Sequence, residues 1–126
     1  MIVGIGIDTV SISRLEKLIQ LRGEKFLRKV FSQSEIKEGM NREKNASFFA
    51  ARFAAREAFV KALGTGFRRG VSIRDIEVKK ADLGRPELSF TTRVEDLLRE
   101  NGIARCHLSI THDGDSAQAI VILEGA

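Results

Sequence analysis

At 126 residues the chain has room for one domain and not for two. Hydrophobic residues make up 43% and charged residues 30%, which supports a packed core and excludes wholesale disorder, while a single Cys excludes a disulfide framework and a Cys-rich zinc site. A net charge of +4 favours acidic or phosphate-rich partners, nucleic acid included, without choosing among them.

Residues 2–8, Ile-Val-Gly-Ile-Gly-Ile-Asp, read as a buried strand that ends at Asp8. The opening lacks a basic n-region and a cleavage site, so it is not read as a signal peptide, and a reducing, cytoplasmic setting is expected. Thr9 to Ser13 offer capping side chains, and Leu15, Leu18, Ile19 and Leu21 then follow helical spacing over about 12–22. The opposite face carries Arg14, Lys17 and Arg22. A short helix over 24–30 follows, then a capped start with Ser32 as N-cap and Glu35 three residues on.

Residues 45–63 hold no Gly or Pro, are rich in Ala and are apolar nearly all round, the mark of a buried helix. Its exceptions are two i,i+4 pairs, Arg52 with Arg56 and Glu57 with Lys61, and Gly64 and Gly66 end it. A basic loop, Phe67-Arg68-Arg69-Gly70, leads to a strand over 73–79. A turn at Gly84-Arg85-Pro86, a short strand over 87–90 and a helix over 92–100 come next. Two final strands, about 105–111 and 116–123, form a hairpin around His112-Asp113-Gly114-Asp115. No apolar run approaches the roughly 18 residues of a membrane helix. Strands and helices mix without strict βαβ alternation, so the class is α+β, one domain over 1–126.

Asp8 and Glu57 are the oddly placed carboxylates, one closing an apolar strand and one on the buried helix. Such charges are costly unless paired or metal-bound, and two carboxylates plus substrate phosphates suit Mg²⁺. The bland alternatives are a helix cap for Asp8 and a local pair with Lys61 for Glu57. Arg52 and Arg56 either serve a phosphate or reach the surface on their long stems. Gly64-Thr65-Gly66 either offers backbone N–H groups to an anion or is a plain cap. His107 and Ser109 share one strand face, but no third group orients them, so a hydrolase reading is weak.

Taken in order, Gly4-Ile5-Gly6-Ile7-Asp8 with Arg14, Phe31-Ser32-x-x-Glu35, the run Arg52 to Gly66, and His107 to His112 with Ala117 to Val121 resemble the motifs of bacterial holo-acyl-carrier-protein synthases, the small phosphopantetheinyl transferases. Arg56 stands where that family usually has Lys. The resemblance implies a mainly antiparallel sheet packed around the long helix. It also implies Mg²⁺-dependent transfer of 4′-phosphopantetheine from coenzyme A to a serine of acyl carrier protein in fatty acid biosynthesis. It implies Asp8 and Glu57 as metal ligands, and catalytic roles for Glu57, Lys61 and Asp8. Arg52, Gly64, Thr65, Gly66, His107 and Ser109 would bind the coenzyme. Arg14 and Arg22, with Arg28 as a further candidate, would dock the acidic carrier, and the enzyme would be a homotrimer with active sites between subunits. The competing class, a basic nucleic-acid-binding module, is disfavoured by the absence of Trp and Tyr and by Phe residues committed to helical patterns.

Overall fold

The computed structural model describes residues 1–66 and 70–126, so most of the basic loop expected at 67–70 lies outside the described residues. In chain order the elements are β1 (Ile2–Ser11), α1 (Ile12–Arg22), α2 (Glu24–Val30), α3 (Gln33–Met40), α4 (Asn45–Leu63), β2 (Ile76–Lys80), β3 (Pro86–Phe90), α5 (Thr92–Glu100), β4 (Ile103–Asp113) and β5 (Ser116–Gly125). The strands form two antiparallel sheets, one ordered β1-β5-β4 and one of β2 and β3. The α+β expectation holds. Among the described residues, no helix is long and apolar enough to cross a membrane.

β1 does not end at Asp8. It runs three residues further, because Asp8, Thr9, Val10 and Ser11 pair in register with Ala119, Gln118, Ala117 and Ser116 of β5. Of the polar residues that resemble a cap in isolation, Thr9 is a strand residue, Ser13 lies in the first turn of α1, and Ser11, the last residue of β1, does cap α1 by accepting from the Arg14 N–H. A second partner completes that cap from the far end of the chain. The Asp115 carboxylate accepts from the Ser13 N–H at 2.8 Å and from the Ser11 and Ser13 hydroxyls at 2.9 Å each, and its carbonyl accepts from the Ile12 N–H. Helix-start donors need such acceptors, and these three hydrogen bonds hold the Asp115 carboxyl below the usual carboxylate range.

α4 runs through the middle. Ala54, Ala55, Ala58, Phe59 and Val60 pack with Val121 and Leu123 of β5, Ile76 and Val78 of β2, and Val94 of α5. The other half, Phe48, Phe49, Ala50 and Ala51, packs with Leu15, Leu27, Val30 and Phe31 of the N-terminal helices. α4 therefore has an apolar neighbour on nearly every side, as its sequence requires. Leu21 departs from expectation: at 100° per residue it lies about 120° round α1 from the buried Leu15, and it is 85% exposed.

One packing contact sets the position of the functional side chains. A Cβ on Gly4 would lie 2.1 Å from the Ala62 carbonyl oxygen, and one on Gly6 would lie 1.9 Å from that of Ala58. Any side chain at either place would push β1 off α4, so the Gly-x-Gly spacing is the condition for strand and helix backbones to touch. Strand alternation then aims the next residue of that face, Asp8, at α4. The outward residues Ile5 and Ile7 are 59% and 61% exposed.

Candidate active site

Asp8 of β1 meets one side of α4 at Glu57 and Lys61. The Lys61 ammonium donates to Asp8 Oδ1 at 2.8 Å and to the Ile7 carbonyl at 3.1 Å. The local Glu57–Lys61 ion pair that the i,i+4 spacing offers is replaced by this tertiary one. Glu57 is half-buried, and burial first, then the Asp8 charge, raise its carboxyl above the ordinary glutamate range, with Lys61 partly offsetting them. Asp8 and Glu57 share a cavity of about 280 Å³ with Ser11, Arg14, Leu18 and Phe53. The carboxylate on the α1 side of β1 thus faces the first helix as well as the central one.

Among the described residues no cluster of three or more His, Cys, Asp or Glu side chains forms a complete protein cage for a metal. Two carboxylates lining one cavity, with the Asp8 charge helping to raise the cost of ionising Glu57, fit a hard divalent ion that completes its shell with water and substrate oxygens.

Gly64 and Gly66 sit at the same end of α4. Gly64 takes the left-handed conformation, φ 83°, and its N–H donates to the Val60 and Lys61 carbonyls, while the Gly66 N–H reaches Val60 at 3.4 Å. The Thr65 hydroxyl donates to the Gly66 carbonyl at 2.8 Å. In this structure both glycine N–H groups serve the helix cap.

Arg52, Ser109 and His107 lie elsewhere. Arg52 is buried, with its guanidinium 3.8 Å from the Phe48 ring centroid and 3.5 Å from Glu38. Its Nε has no hydrogen-bond partner. Burial lowers its pKa, against the opposing pull of Glu38 and Glu35. Arg52 and Ser109 line a groove of about 690 Å³ with Lys44, Lys80, Arg85 and His112. The exposed His107 instead bonds Glu124 at 2.9 Å, a contact that lowers the Glu124 pKa, and it borders a different groove with Arg105 and Cys106. His107 and Ser109 do share the outer strand face, as alternation requires, but they serve different hollows. Within one chain the expected site residues thus form three groups: Asp8–Glu57–Lys61 beside the Gly64–Gly66 cap, Arg52 with Ser109, and His107.

The model of the 4′-phosphopantetheinyl transferase superfamily matches residues 4–121. A holo-[acyl-carrier-protein] synthase of Trichlorobacter lovleyi is 48% identical over 124 residues, 98% of each chain. The crystal structure of holo-[acyl-carrier-protein] synthase from Neisseria meningitidis superposes with a TM-score of 0.91 at 39% identity, covering 98% of this chain and 99% of that one. That of Bacillus anthracis, solved in complex with CoA (3′,5′-ADP), gives 0.82 at 38% identity, covering 100% and 99%. The chain belongs to the 4′-phosphopantetheinyl transferase superfamily.

Arg56, where the resemblance leads us to expect Lys, is fully buried and does not reach the surface. Its guanidinium grips both Glu35 oxygens (Nη1 to Oε2 at 3.1 Å, and Nη2 to Oε1) and donates to the Arg52 and Ile73 carbonyls. Glu35 also accepts from the Ser32 N–H at 2.9 Å and the Val78 N–H at 3.3 Å, so the expected capping box doubles as a buried ionic hub joining α3, α4 and β2. A planar fork suits that two-oxygen grip in a way an ammonium does not.

On the transferase's helical face Arg14, Arg22 and Arg28 are all exposed, and Arg28 pairs with Glu24. The sequence reading missed the neighbours of Arg22: Leu21, Lys25, Phe26 and Lys29 line a hollow of about 360 Å³ with it. Leu21 breaks the apolar stripe of α1, and that misfit is the signal that identifies it as surface. Lys80 and Arg85 were also missed as a cationic pair beside His112, since they come together only through the β2–β3 turn and the edge of β4.

Proposed function

We propose that the chain is a Mg²⁺-dependent holo-[acyl-carrier-protein] synthase, transferring 4′-phosphopantetheine from coenzyme A to a serine of apo-acyl carrier protein. The bond from the serine oxygen to the pantetheine-side phosphorus forms. The diphosphate bond to the adenosine half breaks, and adenosine 3′,5′-bisphosphate leaves. The observation that carries this reading is the convergence of Asp8, Glu57 and Lys61 through the glycine contact of β1 with α4, with both carboxylates lining one cavity. Full-length likeness to chains named holo-[acyl-carrier-protein] synthase supports it.

Asp8 and Glu57 would hold the Mg²⁺. A bound Mg²⁺ offsets the charge that builds on diphosphate oxygens as the bond breaks. Lys61, half-exposed on a flexible stem, reaches the leaving phosphate. Glu57, directly or through a water, would accept the serine proton. Arg52, Ser109 and His107, with Gly64, Thr65 and Gly66, contact the coenzyme across a subunit boundary, because one chain holds them in separate groups. The outer face of the β1-β5-β4 sheet favours such a boundary: Ile5 pairs with Ile122 and Ile7 with Ile120, an apolar patch open to a second copy in a homotrimer. Arg14, Arg22 and Arg28 dock the acidic carrier. A cytoplasmic setting fits the lone Cys106, whose thiol is pushed up to about 12 by burial and is inert as a redox group.

The test is incubation with apo-acyl carrier protein, coenzyme A and Mg²⁺, followed by mass spectrometry. The carrier gains one phosphopantetheine. Asp8→Ala and Glu57→Ala fold but lose turnover by at least about a hundredfold. No mass gain, or near-normal turnover in either variant at ordinary Mg²⁺, rejects the assignment.

A further inference from the structure

Lys61 makes a contact that a purely phosphate-binding lysine has no need of. Its ammonium is bound to two oxygens of β1, the Ile7 carbonyl and Oδ1 of Asp8, and Asp8 lines one cavity with Glu57. The same charge counters the Asp8 repulsion felt by Glu57. Among the described residues this is the one ion pair Asp8 makes.

We propose that Lys61 is an exchangeable counterion of the metal site: its ammonium neutralises Asp8 in the metal-free enzyme, Mg²⁺ displaces it, and the released side chain moves to the diphosphate. The inference rests on the Mg²⁺ reading above. Two facing carboxylates without a cation destabilise each other, and Lys61 supplies one positive charge from four carbons away. A divalent ion brings two charges to the same pair and wins the exchange. Lys61 is about half exposed, so leaving Asp8 costs little once a phosphate is there to receive it. Metal and substrate then favour one another's binding, since each removes a competitor or supplies a partner for the other. Metal alone binds the weaker for having to evict Lys61.

Calorimetric titration with MgCl₂, without coenzyme, tests this. Lys61→Met binds Mg²⁺ more tightly than the parent, by roughly two- to fivefold, the range of a half-exposed ion pair. Lys61→Gln does the same. Arg14→Met, which removes a charge lining the same cavity but bonded to neither carboxylate, gains clearly less. Coenzyme A tightens Mg²⁺ binding in the parent and does so less in Lys61→Met. An Mg²⁺ affinity in both Lys61 variants no better than the parent's, or an equal gain in Arg14→Met, overturns the exchange while leaving the metal site standing. If Asp8→Asn binds Mg²⁺ as the parent does, the metal assignment fails and the exchange fails with it.

Discussion

Gly6 governs how near Asp8 comes to Glu57, although it carries no chemistry. A methyl group there would meet the Ala58 carbonyl at 1.9 Å, and backbone on both sides leaves no flexible atom to yield. Gly6→Ala should cost about 1–3 kcal/mol, the range for overpacking a closed contact. Thermal melting should show a drop of several degrees. Turnover of the surviving folded protein should fall as well, because β1 must lift away from α4 and carry Asp8 with it. A variant with parental melting and turnover would mean that strand and helix tolerate wider spacing. Asp8 and Glu57 could be singled out in the sequence because a carboxylate in an apolar strand, or on a helix buried all round, is costly unless a cation offsets it, but only the family resemblance turned the two into a proposed metal pair. The partner of Lys61 was not, because i,i+4 spacing advertises Glu57 while Asp8 lies 53 positions away. Arg52 and Arg56 misled in the same manner. Their stems suggest a route to water, but Glu35 and Glu38 of α3 meet them inside.

At the scale of elements, α1 and α2 form a face of a different kind from the catalytic one. Arg14 and Arg22 are exposed, and the side chains of Leu21 and Phe26 share a hollow with Arg22, Lys25 and Lys29. Apolar side chains among cations suit an acidic amphipathic helix better than charge alone would. Arg14→Ala and Arg22→Ala should each raise KM for the carrier by up to about fivefold, leave KM for coenzyme A near the parent's, and lose most of their effect at high salt. Steady-state titration of each substrate separately checks this, and a change confined to coenzyme A would place docking elsewhere. Helices were the most readable elements: residues 92–100 and the start of α1 match the sequence reading to the residue. Strand limits were less so. Thr9 and Ser11 are polar, and only the ladder with β5 makes them strand. Residues 73–75 form a 3-10 turn, capped by Ser72 and Asp75, where strand alternation was expected.

At the scale of the molecule, the outer face of the three-stranded sheet is the surface on which the proposed trimer is tested. Ile5 and Ile7 stand exposed beside Ile120 and Ile122, a row of β-branched side chains on a flat surface that a lone copy would leave in water. Light scattering at micromolar concentration should give a trimer for the parent. Ile7→Asp combined with Ile120→Asp should give a monomer of unchanged circular dichroism, with activity lost. A parent mass equal to that of one chain would reject the assembly. The order β1-β5-β4 has one more consequence. Of these elements β5 leaves the ribosome last, yet among the described residues it is the only sheet partner of β1, and Asp115 just before it holds the start of α1. A nascent chain therefore waits with its earliest-made segment unplaced, and neither Asp8 nor the start of α1 is held in position until β5 has been made.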